Sequence, residues 1–341
     1  MALSGVEAKG RRVTARQVAN RAGVSISAVS RAFTPGASVS PDMRRIVMEA
    51  AEALGYQPNL MARSLMTGRT DLIGLVSNNF DNPAFMEIFD LFTRRLQDHG
   101  LKPLLVNLSG RSDPEQAVAM LQQYNVDGVI VASSTVSPAF IEGCVAAGIP
   151  VVHAFGKPAV DTPVQIVAAD NVQGGRLAAR TLLDHGYRQV AFLGGPHSAT
   201  STIDRLNGFR EGLGAAHTTP VSEVFADSYA HDEGRRLMRG LLAGGGIDAV
   251  FCGDDILAIG AMDACREAGR PVPDAMGVLG FNDIAMASWA AYDLSTIRQP
   301  IAAIIVAAVE QAITRTAEPD TRPETKSFPC EIILRGTLRR V

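Results

Sequence analysis

Cysteine is scarce and poorly placed for chemistry. The 341-residue chain has four, Cys144, Cys252, Cys265 and Cys330, far apart and without a C-x-x-C pair. Neither a zinc site nor a disulfide framework is supported, and a reducing compartment fits. Tryptophan occurs once, at Trp289, and the share of aromatic residues is only 6%. No apolar run is long enough to span a bilayer. The opening MALSGVEAKGRRVTARQ lacks the apolar stretch of a signal peptide, so a cytoplasmic location and no membrane partner are expected. Nucleotide and nucleophile signatures are also missing: there is no G-x-S-x-G elbow, no G-x-G-x-x-G and no P-loop. His153, His197 and His231 fall on separate strand ends and read as structural. No enzyme, cofactor or metal is indicated.

What is present is unevenly spread. Residues 1–69 carry ten Lys/Arg against four acids, a net +6, so the remaining residues hold −9 of the overall −3. A small basic head on a large acidic body favours a polyanionic partner for the head alone. Within that head, VTARQVANRAGVSISAVSRAF spells two short helices. Thr14 and Gln17 have capping-box spacing, Gly23 suits a left-handed helix end, and Ser25 can cap a second helix. Ala28, Val29 and Ala32 then face inward while Ile26, Ser27, Ser30 and Arg31 do not. Such a pair is a helix-turn-helix, whose second helix enters a DNA major groove; the plainer alternative is a helical hairpin of a core. A third helix follows from Pro41 to Gly55, with Ile46, Val47, Ala50 and Leu54 inward, then a short segment at about 59–66 that exposes Leu60, Met61, Leu65 and Met66.

From Asp71 the rhythm changes. LIGLV, PLLVNL, GVIVAS, PVVHAF, VAFLGG, VFAD, AVFCG and GVLGF are runs suited to buried parallel strands, and helical patterns separate most of them. A final helix at 301–315 and a strand at 330–335 complete the series. Repeated strand–helix units give a doubly wound α/β body, and so many strands imply two sheets in two lobes with a boundary near 168–171. Ligands collect at the carboxyl ends of such strands, where Asn79, Asn82, Phe85, Phe155, Tyr229, Asp254 and Asn282 recur. Facing edges would line a cleft for a small polar molecule. The competing role for residues here is helix capping, for which Asn171 and Asp255 are placed.

These blocks, together with VSPDMRRIVMEAAEALGYQPNLMARSL, DNVQGGRLAARTLLDHGYRQVAFLGGP, RLNGFREGL, AVFCGDDILAIGAM and GFNDIAMASWAAYDLSTIRQP, resemble the LacI/GalR family of transcriptional regulators from Val13 to about Leu338. The resemblance implies a DNA-binding homodimer, its body of the two-lobed periplasmic-binding-protein type I fold, controlled by a small effector between the lobes. It divides the chain into a helix-turn-helix domain at 1–57, a hinge at 58–70 and a body at 71–341, with lobe 1 at about 71–168 plus 299–327 and lobe 2 at about 169–298 plus 328–341. It assigns base contacts on double-stranded operator DNA to Ile26, Ser27 and Arg31, backbone contacts to Thr14, Ser25, Ser30 and Asn59, and minor-groove hinge contacts to Ala62, Leu65 and Met66. Arg205 and Gln299 join the strand-end residues as effector positions. Two departures stand out: Asn282 replaces a usual aspartate, and Ala154 replaces a frequent acid, which makes a sugar acid more credible beside Arg205. The implied function is repression of a carbohydrate-utilisation operon under a sugar or sugar-acid effector. The rival is a solute-binding or sugar-processing α/β protein.

Overall fold

The structure, a computed structural model, describes residues 13–34, 36–57, 68–80, 82–110, 113–157, 162, 164–318 and 321–340. It forms two compact units, Met1–Thr70 and Asp71–Val341. In the first, α1 (Ala15–Ala22), α2 (Ile26–Ala32) and α3 (Pro41–Leu54) enclose a small core of Val18, Ala19, Val29, Ala32, Val47, Ala50 and Ala51. The Gln17 side chain accepts from the Thr14 N–H at 2.9 Å, closing the start of α1. Gly23, at φ 67°, reverses the chain, and Ser25 Oγ accepts from the Ala28 N–H at 3.2 Å to open α2. Arg44 donates to the Ala32 carbonyl at 2.8 Å and ties α3 to the end of α2. The inner face of α3 differs from the sequence reading at one position: Ile46 is exposed, and the smaller Ala51 takes its place in the core.

The second unit holds two six-stranded sheets of matching order. Sheet 1 runs β11-β5-β4-β3-β1-β2, from β1 (Leu72–Ser77), β2 (Lys102–Asn107), β3 (Gly128–Ala132), β4 (Val151–Ala154), β5 (Gln165–Ala169) and β11 (Thr325–Phe328), all parallel. Sheet 2 runs β12-β10-β9-β8-β6-β7, from β6 (Val190–Gly194), β7 (Ser222–Phe225), β8 (Ala249–Cys252), β9 (Gly277–Asn282), β10 (Thr296–Arg298) and β12 (Glu331–Ile333), with β12 antiparallel to β10. The connecting helices are α4 (Ala84–Asp98), α5 (Pro114–Gln123), α6 (Pro138–Ala146), α7 (Asn171–Asp184), α8 (Thr200–Gly214), α9 (His231–Gly244), α10 (Asp255–Glu267) and α11 (Ile301–Ala317).

Three strands escaped the apolar-run reading. β5 is a short run beginning on Gln165, β10 has only three residues, and the polar edge strand β11 buries no side chain fully. Edge strands need no continuous apolar run, because one face and one side remain in water. Gln165 fixes β11: its amide donates to the Arg322 carbonyl at 3.1 Å and accepts from the Glu324 N–H at 2.8 Å. The C-terminal strand is also shorter than expected, Glu331–Ile333. The chain passes between sheets three times: after β5, after β10, and between β11 and β12.

Close helix packing sets the site. A Cβ on Gly208 of α8 would lie 1.9 Å from the Val172 carbonyl oxygen, and one on Gly175 of α7 would lie 2.1 Å from the Arg205 carbonyl oxygen. Only hydrogen at these positions lets α7 and α8 touch backbone to backbone, which holds Arg205 against α7. Gly208→Ala should destabilise the body by about 1–3 kcal/mol through overpacking. Gly214→Ala, at the open end of the same helix with no neighbour within 4 Å, should be neutral or stabilising. Denaturant unfolding compares them, and equal effects would contradict the packing account.

Candidate functional site

On the first unit, Ile26, Ser27 and Arg31 lie together on the exposed side of α2, opposite buried Ala28, Val29 and Ala32. Ile26 is 47% exposed, an apolar side chain the head does not use for its own core. Arg31 makes one weak contact, from Nε to the Ser27 carbonyl at 3.4 Å, so its guanidinium fork is left to reach outward. Ser25 and Ser27 share a hydrogen bond of 2.9 Å at the start of the helix, Thr14 is exposed at the start of α1, and Ser30 is half-buried. Asn59, Ala62, Leu65 and Met66 lie outside the described residues.

In the second unit, the carboxyl ends of strands from both sheets meet around a small cavity. Asn79, Phe85, Phe155, Arg205, Tyr229, Asp254, Asn282 and Gln299, eight of the effector positions assigned from sequence, line it together. Asn82 does not line it. It spans the lobes behind the wall, donating from Nδ2 to Asp254 Oδ2 at 3.1 Å while its own Oδ1 accepts from the Ala84 N–H at 3.0 Å. Ser134, Ser201, Ala84, Ile88 and Ile301 complete the lining and were not singled out from sequence. Of these, Ser134 follows the end of β3, and Ser201 in the first turn of α8 donates to it across the lobes at 2.9 Å. Lys157 and Asp204 add an interlobe ion pair at 2.9 Å near the surface.

Asp254 is the polar centre. It, and not Asp255, caps α10: Oδ1 accepts from the Ile256 N–H at 2.9 Å. Oδ2 accepts from Asn282 Nδ2 at 2.8 Å as well as from Asn82. An ionised carboxylate only accepts, so it forces Asn282 to turn its amide nitrogen inward and its oxygen outward. That oxygen accepts from Gln299 Nε2, and Gln299 Oε1 is left buried on the pocket wall without a partner among the described residues. The Asp254 carboxylate thus lies directly beside the neutral amide at position 282.

Asp255 has a different task. It is buried, accepts from Thr296 Oγ1 at 2.6 Å and from the Ile284 N–H at 2.9 Å, and pins α10 to the turn after β9. Gly280 makes room for it, since a Cβ there would lie 2.1 Å from Asp255 Oδ1. Asn171 is not a cap either: Asp170 caps α7, accepting from the Gln173 N–H at 2.8 Å. Asn171 Oδ1 instead accepts from Arg205 Nε at 2.8 Å. Arg205 also donates from Nη1 to the Gly253 carbonyl and lies 3.7 Å over the Phe281 ring. Burial lowers the Arg205 pKa, while Tyr229 and Asp254 pull it back up. Nε and one Nη1 hydrogen are thus committed, and the remaining Nη1 and Nη2 hydrogens are left for a ligand.

The backbone around the pocket is held in unusual states. Phe155 has φ 67°, Asn282 φ 122° and Asp283 φ 61°. Left-handed backbone at non-glycine residues persists where the surroundings over-determine it. Here Asp283 accepts from Arg298 and from Arg335, each at 2.6 Å, clamping the turn after β9. His153 lies beneath the floor of sheet 1, its Nε2 2.6 Å from the Ser133 carbonyl. Burial pushes its pKa down to about 4, so it is neutral and donates from Nε2. His231 is occupied by Asp232 and Asp263, and His197 packs edge-on to Phe225. Among the described residues no group of His, Cys, Asp and Glu could hold a metal, and no helix is long and apolar enough to cross a membrane.

Desolvation pushes Asp254 up to about 6 and Asp255 up to about 7. An acid whose pKa is raised on folding holds its proton in the native state after the unfolded chain has released its own. These two residues therefore cost the body stability as pH rises from about 4 to about 7. Asp255→Asn retains an acceptor and removes the titration. The melting temperature of the variant relative to the parent should rise between pH 5 and pH 8; a difference that stays constant with pH would contradict the buried charge.

Comparison with known proteins accounts for both halves. Residues 14–59 match the profile of bacterial regulatory proteins, lacI family, and residues 179–338 match the periplasmic binding protein-like domain. The HTH-type transcriptional regulator CelR of Thermobifida fusca is 33% identical over 299 residues, covering 85% of this chain and 88% of CelR. Among solved structures, the Lac repressor dimer bound to operator and the anti-inducer ONPF superposes with a TM-score of 0.86 at 25% identity, over 97% of this chain and 100% of that one. A CelR–cellobiose complex gives a TM-score of 0.73 at 28% identity, over 96% of this chain and 100% of that one. The chain belongs to the LacI family of bacterial regulators. It is a DNA-binding transcriptional regulator with a helix-turn-helix head and a two-lobed periplasmic-binding-protein-like body, not an enzyme.

Proposed function

We propose that the chain is a cytoplasmic repressor of carbohydrate utilisation that binds a pseudo-palindromic operator as a homodimer and responds to a sugar held between its lobes. The observation that carries this reading is the pocket itself: eight side chains from two lobes, separated widely in sequence, converge on one polar and aromatic chamber. Phe85, Phe155 and Tyr229 offer ring faces, while Arg205, Asn79 and Gln299 offer donors and acceptors for hydroxyls. The same chemistry fits the sugar named for the CelR complex.

On the operator, Arg31 pairs bidentately with a guanine, Ile26 packs on a thymine methyl and Ser27 adds a hydrogen bond. Thr14, Ser25, Ser30 and Asn59 fix the register on phosphates. The hinge segment, with Ala62 at the pair contact and Leu65 beside Met66 as the wedge, kinks the duplex from its minor groove. The free volume between the lobes is about 40 Å³, room for a water molecule or two and not for a sugar ring. A ligand enters only by parting the Asn82–Asp254 and Ser134–Ser201 bonds, so liganded and empty bodies differ in lobe geometry. That difference is what a ligand needs in order to shift operator affinity.

Arg31→Ala should relax choice at one base pair of each half-site by about 1–3 kcal/mol in a binding-site selection, and undiminished discrimination would remove Arg31 from the reading face. Arg205→Ala should leave operator binding intact and abolish the response to sugar in a gel-shift titration. A normal response would take Arg205 out of the effector pocket.

A further inference from the structure

Outside the inner chamber lies a second, larger hollow of about 220 Å³. It is walled by the loops after β1, β3, β6 and β7. The two hollows share a pair of residues, Asn79 and Tyr229. The Tyr229 ring is the partition. Its hydroxyl lies 3.0 Å from Thr202 Oγ1, and the ring is seated over Gly195, where a Cβ would fall 2.1 Å from Cε1. A ring fixed at both its tip and its face cannot swing aside to merge or close the two spaces.

The outer walls are of two kinds. Asn78 and Thr135 are spent on each other: Thr135 Oγ1 donates to Asn78 Oδ1 and Asn78 Nδ2 donates to the Thr135 carbonyl, each at 3.0 Å. They form a rigid floor. By contrast, the side chains of Asn79, Ser198, Asp227 and Ser228 make no hydrogen bond among the described residues, so their donors and acceptors are open to a ligand. None of the described residues lining the outer hollow is cationic, and one, Asp227, is an acid. The inner chamber carries a second carboxylate, Asp254, and its one cation is bound to Asn171 and Gly253. The outer space therefore suits neutral hydroxyl groups and opposes carboxylates and phosphates.

We infer that the outer hollow is a second sugar subsite, and that the natural effector is a neutral disaccharide or longer oligosaccharide whose first ring occupies the inner chamber and whose second ring lies against Tyr229, Ser198, Asp227 and Ser228. This rests on the reading of the inner chamber as a sugar site. A second ring adds contacts already oriented by the first, so it tightens binding without a new loss of translational freedom.

The test is calorimetric titration of the full chain with glucose, galactose and ribose against cellobiose, maltose and lactose, repeated on Ser228→Trp and Ser198→Trp. Each variant places an indole in the outer hollow from a different wall and leaves every inner residue in place. The expected result is that one disaccharide binds at least about tenfold more tightly than the monosaccharide of its own units. Both variants should erase that gain while the monosaccharide affinity stays within about twofold of the parent. A disaccharide bound no more tightly than its monosaccharide would overturn the subsite and leave the inner sugar site standing. Equal losses for short and long sugars in both variants would overturn it too. Absence of binding by every sugar would overturn the inner reading and the subsite together.

Discussion

One buried carboxylate organises the cleft. Asp254 accepts from the backbone of its own helix, from Asn282 at the end of β9, and from Asn82 across the gap between lobes. Burial of a charge is costly unless it is paired or hydrogen-bonded, and here three N–H donors satisfy it. Its demand for donors fixes the orientation of Asn282, which fixes Gln299, which leaves one acceptor facing the ligand space. The chemistry offered to an effector is thus set two residues away from the atom that sets it. The interlobe contact from Asn82 ends on the same oxygen, Asp254 Oδ2, as the contact from Asn282 that orders the pocket.

The fold supplies the rest by repetition. Two sheets of equivalent order present their strand ends to one another, and three passages of the chain join them. The strained turns sit where those ends meet. Phe155 and Asn282 line the pocket with left-handed backbone, and the Arg298–Asp283–Arg335 clamp keeps one of those turns in place. The head is built on another economy: a core of mostly small side chains leaves Ile26 and Arg31 outside, with nothing in their own unit to do.

Much of this was legible in the sequence because it is local. Thr14, Gln17, Gly23 and Ser25 report helix ends through their own capping chemistry, and the apolar runs of the buried strands need no partner to be recognised. The losses have physical causes. The polar strand β11 is held by Gln165 from far along the chain, and no pattern within Thr325–Phe328 announces it. Two adjacent aspartates, Asp254 and Asp255, cannot be told apart by composition; only the turn after β9 shows that the first caps and the second pins. The Asn82–Asp254 bond joins residues 172 apart. That the neutral amide of Asn282 donates to the Asp254 carboxylate is likewise invisible in the sequence, because the two are near in space and distant along the chain. Ile46 was misplaced because helical periodicity marks a face without saying which edge of it the neighbours will cover.

The proposed regulation rests on coupling between the interlobe chamber and the DNA-reading head. Linkage requires that a ligand which changes operator affinity by some factor has its own affinity changed by operator by the same factor. The direct measurement is therefore sugar affinity of the full chain, by calorimetry, with and without saturating operator duplex obtained by binding-site selection. The account predicts a change of about 5–150-fold, matched by the shift in operator affinity at saturating sugar. Identical sugar affinity in the two conditions would contradict it.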